Sequence, residues 1–241
     1  MRRHVVRPGE CASSIAARHH TTTEALWGHP ENAALRARRE DPNVLAPGDV
    51  LWVPEREPAA HPMKASQSHA FVAAHEPITL RLKLVEEVWE EGATVQGRIE
   101  RHGDTVVYRK ATPPRPPRDA PLANVPYRLD FGRRSIAGTT DGSGVLEARI
   151  PPHVEVGRLV LEPETARERA IELRVGHLDP LELAGGVKQR LANLGHPCGD
   201  VDDEDEALAF ALESFQRKHG LSPSGQLDER TLDELRALSG R

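Results

Sequence analysis

Two Pro-Gly-acid triplets constrain the fold of this chain more than any other sequence feature. They occupy residues 8–10 and 47–49. Proline fixes φ and glycine tolerates a positive φ, so each triplet predicts a sharp corner in the chain. A short β-prone run adjoins each corner, residues 4–6 before the first and residues 50–53 after the second. The sequence therefore predicts two strands that open and close one structural unit.

The stretch between the two corners has a helical pattern. Small or apolar residues recur at helical spacing at Ala12, Ile15 and Ala16. Residues 21–24 (Thr-Thr-Thr-Glu) fit a capping box, because a threonine is followed three positions later by a glutamate, and they predict the start of a second helix. A long polar segment follows, and residues 31–36 predict additional helix within it.

This βααβ order with a Pro-Gly corner at each end resembles a LysM module over residues 1–55. The resemblance implies binding of glycans that contain N-acetylglucosamine, such as peptidoglycan or chitin, in a shallow groove between the two corner loops. Backbone N–H and C=O groups in such loops can hydrogen-bond N-acetyl groups, and small apolar side chains can contact the methyl groups. On this sequence the resemblance places the glycan against Gly9, Glu10, Cys11, Ala12, Ser13, Val44, Leu45, Ala46 and Pro47. A LysM-like module that only packs against other domains is the alternative.

The second predicted strand carries a tryptophan on its outer face. Strand alternation places Leu51 and Val53 toward the core, so Trp52 points away from it. A large apolar side chain that faces outward indicates either a platform for a sugar ring or a surface docked on a neighbouring domain. Of these two, the sequence favours docking.

The middle of the chain changes to a period of two. Residues 56–68 are polar, contain proline and lack periodicity, as is typical of a linker. Residues 69–176 hold short alternating runs separated by turns, which predicts an antiparallel β-sandwich. The runs cover residues 78–84, 94–99, 105–108, 125–131, 135–140, 144–150, 158–161 and 171–175. The stretch 121–144 resembles prealbumin-like or Ig-like modules of bacterial surface and secretion proteins, which implies a spacer or protein-docking domain.

Residues 177–241 return to a helical pattern. Three apolar stripes predict three helices, and glycines at positions 195 and 220 suit the ends of the first two. Asp228 is a natural N-cap for the third. The stripes are formed by Leu183, Val187, Leu191 and Leu194, then by Leu208, Ala211, Leu212 and Phe215, and last by Leu232, Leu235 and Leu238. The predicted fold class of the whole chain is therefore α+β multidomain.

The helical part also resembles a known family. Residues 187–196 and 215–235 are similar to the three-helix peptidoglycan-binding domain of type 1. The resemblance implies a second glycan site at Leu194, Gly195, His196 and Gln216. That family usually carries an Asp-Gly-x-Phe-Gly loop before its second helix, where this chain has the acidic run 199–206 instead.

The acidic run invites a comparison with calcium-binding loops. If Asp200 takes the first position of an EF-hand loop, the sixth position is Asp205 rather than glycine and the twelfth is Ala211 rather than glutamate. The template fails at both positions. Acidic residues at a helix N-terminus are favourable in themselves, so a capping role accounts for the run. A weak metal site that includes His196 and Cys198 is the alternative, and we predict no metal and no cofactor.

Composition excludes several classes of function. The C-terminal third carries the acidic excess, since residues 179–241 hold 7 basic and 13 acidic side chains. A basic stripe for nucleic acid is absent from the sequence, as is an apolar run of the roughly 18 residues that a membrane span needs. The two cysteines imply no disulfide framework. The sequence offers no persuasive nucleophile–base or metal constellation, so a binding protein is favoured over an enzyme.

The N-terminus bears on where such a protein would act. Met1-Arg2-Arg3 is not followed by an apolar core of the roughly 7–15 residues that a signal peptide requires, so we expect cytoplasmic synthesis. Residues 29–36 and 41–49 resemble leaderless LysM proteins associated with type VI secretion spikes and related contractile machines. The resemblance implies delivery to a cell wall by such a machine. Three functions stay open: non-catalytic peptidoglycan binding, an adaptor that uses these modules to contact a secretion spike protein, and a wall hydrolase. The hydrolase is the least favoured, because no separate catalytic domain fits in the remaining chain.

Overall fold

The N-terminal part of the chain forms a two-stranded sheet with three short helices and a 3₁₀ turn. The computed structural model describes residues 1–55, 63–64, 66–68, 77–88, 98–102, 105–109, 118–199 and 202–239. The N-terminal elements are β1 (Arg2–Val5), α1 (Ala12–Arg18), α2 (Thr23–Trp27), a 3₁₀ turn (Pro30–Asn32), α3 (Ala33–Arg38) and β2 (Val50–Val53). The helix expected at residues 31–36 is confirmed by the 3₁₀ turn and α3. The N-cap of α2 is Thr22, one residue later than the predicted capping box, and its hydroxyl accepts the Ala25 N–H at 3.1 Å.

The two strands and the helices enclose one apolar core. β1 and β2 are antiparallel, with His4 opposite Leu51. Leu51 and Val53 are buried and Trp52 is half-buried, so the predicted alternation along β2 is confirmed. The core consists of Val6, Ala12, Ile15, Ala16, Leu26, Leu35, Leu45, Leu51 and Val53.

Asn32 links the helices to β2. Its side chain is 1% exposed. Its Nδ2 donates to the Leu26 carbonyl at 2.7 Å and to the Trp52 carbonyl at 2.9 Å, while its Oδ1 accepts the Trp52 N–H at 2.8 Å. The side chain thus pairs with the edge of β2 much as a third strand would. A buried amide with this many partners specifies one position of α2 against the sheet.

Asn32→Ala should loosen this domain. The change leaves the Trp52 N–H and C=O without partners and removes one of the hydrogen bonds to the Leu26 carbonyl, which costs about 1–3 kcal/mol for a buried group. Amide hydrogen exchange at Trp52 should accelerate by about tenfold or more. Asn193→Ala, at the exposed end of a C-terminal helix, is the matched control and should leave exchange at Trp52 unchanged. Equal protection in the two variants would contradict the role assigned to Asn32.

The middle of the chain consists of short antiparallel sheets. Its strands are β3 (Ile78–Lys83), β4 (Val85–Val88), β5 (Arg98–His102), β6 (Thr105–Arg109), β7 (Arg118–Pro121), β8 (Pro126–Phe131), β9 (Arg134–Thr139), β10 (Val145–Ile150), β11 (Val156–Leu161) and β12 (Arg169–Arg174). β4 and β7 were not expected from the sequence, since neither has a clear apolar alternation. The expected positions 94–97 and the proline-rich residues 113–117 lie outside the described residues, as does most of the predicted linker.

One core holds the larger sheets together. Four strands form a sheet in the order β12-β11-β8-β9, and β10 pairs with β3. Eight buried side chains of β8, β10 and β11 form a single cluster, against which the apolar residues of β3 pack. Asp141 shapes the predicted hairpin turn by accepting the Ser143 and Val145 N–H groups, both at 2.8 Å. The middle domain is thus built of antiparallel sheets, and its likeness to prealbumin-like or Ig-like sandwiches stays a prediction.

The C-terminal part contains α4 (Ala184–Asn193), α5 (Glu206–Lys218) and α6 (Glu229–Ser239). Their buried face includes Val187, Leu191, Leu212, Phe215 and Leu235, as the apolar stripes predict. The third stripe is wrong at Leu238, which is exposed near the end of α6. Gly186 cannot be replaced at the start of α4, because a Cβ there would lie 2.0 Å from the Pro180 carbonyl oxygen. None of the helices in the described part of the chain has the length and apolar character that crossing a bilayer requires.

Candidate functional site

The acidic residue of the first corner is buried and fully engaged. Glu10 is 6% exposed. Its carboxylate accepts the Arg7 N–H at 3.0 Å and His4 Nε2–H at 2.7 Å, and it also pairs with the Arg18 guanidinium. Burial opposes ionisation, but the hydrogen bonds from His4, the Arg7 backbone and Arg18 outweigh it and lower the pKa of Glu10. The Glu10 carboxylate therefore stabilises the turn that contains Gly9, whose φ is +81°.

The second corner repeats the same arrangement. Asp49 is 6% exposed, and its carboxylate accepts the Ala46 N–H at 2.9 Å and Arg39 Nε–H at 2.9 Å. In both corners the carboxylate thus binds the backbone N–H three residues earlier and a cationic side chain. The backbone of Asp49 also accepts the Val6 N–H at 2.8 Å, and the Gly48 N–H donates to the Val6 carbonyl at 2.8 Å.

Further bonds bring the two corner loops side by side. The Ala12 N–H donates to the Pro42 carbonyl at 2.9 Å, and Ser13 Oγ–H donates to Asn43 Oδ1 at 2.7 Å. The predicted residues 9–13 therefore lie next to the segment that leads into residues 44–47. The structure brings together the two loops that the sequence predicted to form one groove.

In the C-terminal domain, Gln216 organises the loop that precedes α6. Its side chain is fully buried. Nε2 donates to the Gln226 carbonyl at 2.8 Å and to Thr231 Oγ1 at 2.9 Å, while Oε1 accepts the Gly225 N–H at 3.0 Å. One amide thus joins α5, the loop and α6. This role is structural, and it explains why a polar residue lies in the middle of an apolar face.

Both ends of the chain match models of known protein domains. A model of the LysM domain matches residues 4–28, and a model of a putative peptidoglycan binding domain matches residues 186–235. The chain carries a LysM domain and a putative peptidoglycan binding domain. Both are binding modules, and they support binding of peptidoglycan or a related glycan. No curated protein and no solved structure matches the chain significantly.

Most side chains of the predicted LysM groove are buried. Pro47 is exposed, and Gly9 and Val44 are half-buried. The other six side chains are buried in the folded chain: Glu10, Cys11, Ala12, Ser13, Leu45 and Ala46. A ligand at this surface would meet backbone groups, Val44 and Pro47, rather than the Glu10 carboxylate or the Ser13 hydroxyl. The glycan site on the LysM domain stays a prediction.

Cys11 holds the N-cap position of α1 in the LysM domain. Ser14 forms the reciprocal half of a capping box, because its hydroxyl oxygen accepts the Cys11 N–H at 3.0 Å. A threonine at this position would cap the helix with its own hydroxyl.

The predicted site on the peptidoglycan binding domain is half open. Gly195 is exposed with φ +90°, and Leu194 is half-buried. His196 is 7% exposed, and its Nδ1 lies 3.0 Å from Ser214 Oγ. Burial lowers the pKa of His196. Because His196 and Gln216 point into the domain, Leu194 and Gly195 are the members of the predicted site that a ligand can reach, and the site stays a prediction.

The acidic run packs against a buried lysine. Lys188 of α4 has a side chain that is 1% exposed, and its Nζ donates to Asp203 at 3.0 Å and to Asp205 at 2.8 Å. Asp205 also caps α5 by accepting the Leu208 N–H at 2.8 Å, which confirms the capping role. Asp202 Oδ1 accepts the Gly185 N–H at 2.6 Å.

Metal binding gains no support in the described part of the chain, where no group of three or more His, Cys, Asp or Glu side chains could hold an ion. Cys198 is buried, and burial raises the pKa of its thiol, which disfavours the thiolate that metals prefer. Trp52 is half-buried at the surface of the LysM domain, and its docking on another domain stays a prediction.

Glu10→Gln should make the LysM domain less stable and less sensitive to acid. Because the folded state lowers the pKa of Glu10 below its ordinary value of 4.5, this carboxylate stabilises the fold above that pH. The stabilisation is lost as the pH falls through the lowered value. At about neutral pH the variant should lose about 1–3 kcal/mol in urea unfolding followed by tryptophan fluorescence. Glu31→Gln, an exposed change in the same domain, is the control, and equal loss in both would contradict this role for Glu10.

Calcium should not stabilise the C-terminal domain. Two of the carboxylates in the acidic run already neutralise Lys188, so an ion would have to displace an internal cation. Calcium at about millimolar concentration should shift the thermal midpoint by less than about 1 °C. A larger upward shift that a chelator reverses would contradict the structural role of the run.

Proposed function

We propose that this protein is a non-catalytic peptidoglycan-binding protein that holds glycan with both ends of the chain. The observation that carries the proposal is the presence of two wall-type binding modules in one chain. The LysM domain offers backbone groups at its two corners, with Val44 and Pro47 beside them. The C-terminal domain offers the surface at Leu194 and Gly195. Two linked sites bind a polymer more tightly than either alone, because the second contact becomes intramolecular.

Sedimentation with purified sacculi tests the proposal. The wild-type protein should appear in the pellet. Val44→Glu and Leu194→Glu should each weaken binding by about tenfold or more, since each removes one of two linked contacts, and the double variant should stay in the supernatant. The matched controls place the same charge at exposed apolar positions elsewhere, as Val156→Glu and Leu238→Glu. Wild-type protein that remains in the supernatant would contradict the proposal.

The second candidate function is an adaptor for a contractile secretion spike. The middle domain supports it, because this domain belongs to neither matched family and carries a surface groove of about 460 Å³. Val156 and Ile171 line the groove and are 54% and 41% exposed. We further propose that the four-stranded sheet and the sheet of β3 and β10 form a sandwich of the prealbumin-like or Ig-like kind, since they share one core. In this proposal the protein is made in the cytoplasm and a contractile machine delivers it to the wall.

Co-purification with a spike protein tests the adaptor function. Val156→Glu with Ile171→Glu should abolish co-purification, because charges replace the apolar lining of the groove. Val44→Glu should leave it intact. The variants therefore separate glycan binding from the adaptor function. Val44→Glu should affect only sacculus binding, and Val156→Glu with Ile171→Glu should affect only co-purification, so each is the control for the other.

A further inference from the structure

The segment that joins β12 to α4 crosses the first corner of the LysM domain. This connecting segment comprises residues 175–183. The His177 ring lies directly against Gly9, where a Cβ would be 2.2 Å from Cε1 and 2.5 Å from Nε2 of the imidazole. Gly9 thus has two reasons to be glycine, its positive φ and this contact. The neighbouring Gly176 also packs against the corner, since a Cβ there would lie 3.3 Å from the Gly9 carbonyl oxygen and 3.4 Å from Cys11 Sγ.

Both ends of the connecting segment are held near the LysM domain. At its start, the Val175 N–H donates to the Glu155 carbonyl at 2.8 Å, and the Glu155 carboxylate lies 3.5 Å from Arg18. At its end, Glu182 lies 3.4 Å from Arg39, the arginine that also binds Asp49. The arginine that binds Asp49 thus contacts the segment directly through Glu182, and the arginine that binds Glu10 reaches its start through Glu155.

The C-terminal domain is also fastened to the middle domain. Lys218 Nζ contacts Glu87 of β4 and Asp119 of β7, both at 2.8 Å. Burial opposes it, but the hydrogen bonds to Asp119 and Glu87 raise the pKa of Lys218, so the lysine stays charged. These ion pairs hold the C-terminal domain, and with it α4, against the middle domain. They therefore help to keep the connecting segment, which leads into α4, over Gly9.

The strength of these contacts suits a cover that opens. Exposed ion pairs contribute only about 0–1 kcal/mol each, and the contacts of Glu182 and Glu155 are of this kind. A ligand that needs the surface at Gly9 must displace the segment, and its apparent affinity falls with the fraction of molecules that are open.

We propose that the connecting segment is an intramolecular cover of the LysM groove, which competes with glycan for the corner at Gly9. The inference rests on the proposed glycan binding. It makes His177 the residue that limits access to the groove, and it implies that the full chain binds glycan through the LysM domain less tightly than its open form does.

A reversible crosslink tests the cover. A Cβ at position 176 would lie 3.9 Å from Cys11 Cβ, within the range of about 3.5–4.5 Å that disulfides require. Gly176→Cys in the full chain should therefore form a disulfide with Cys11 under mild oxidation. Sacculus binding should fall several-fold on oxidation and recover on reduction. Gly176→Ala reports the effect of strain at φ +79° alone, and Cys11→Ser combined with Gly176→Cys should not crosslink.

Removal of the His177 imidazole should change sacculus binding in the opposite direction. His177→Ala should raise sacculus binding by about three- to tenfold, because the corner is then uncovered in more of the molecules. Failure of the disulfide to form would overturn the cover. Sacculus binding that is the same in the oxidised, reduced and His177→Ala proteins would overturn it while leaving glycan binding intact. Disulfide formation without sacculus binding by any variant would overturn the proposed function and the cover together.

Discussion

Two buried carboxylates set the geometry on which the LysM domain depends. Glu10 and Asp49 each bind the backbone N–H three residues earlier and a cationic side chain, so each Pro-Gly corner is closed by its own acid. Because Val6 exchanges backbone hydrogen bonds with the second corner, the two corners form one rigid edge. A shallow glycan site made of backbone groups needs such rigidity, since its donors and acceptors cannot adjust as side chains can.

Local pattern predicted the elements of this fold better than their connections. The Pro-Gly corners, the apolar stripes of α4 and α5 and the turn at Asp141 all follow from short-range rules, and the structure has them. The partners of Asn32 and Lys188 are between 6 and 20 residues away, and nothing in the local pattern specifies them. β4 was missed for a related reason, because its residues are exposed and so lack an apolar alternation.

In the candidate site, too, local features were predictable from the sequence and contacts between distant residues were not. The sequence predicts that the two corner loops form one groove, and the structure brings these loops together. Burial is what the sequence could not supply. Glu10 and Ser13 resemble ligand-binding residues in the sequence, yet their polar atoms bind within the domain. Gly9 and His177 are 168 positions apart in the chain, so only the folded molecule reveals that the corner has a neighbour.

Amide chemical shifts test most directly the central claim, that the backbone at the corners binds glycan. Uniformly ¹⁵N-labelled full chain would be titrated with a soluble oligomer of N-acetylglucosamine. The account predicts that the largest shifts fall on the amides of residues 9–13 and 44–49, with shifts at residues 176–177 as the segment leaves the corner. The absence of shifts in the LysM domain, or shifts confined to the middle domain, would contradict it.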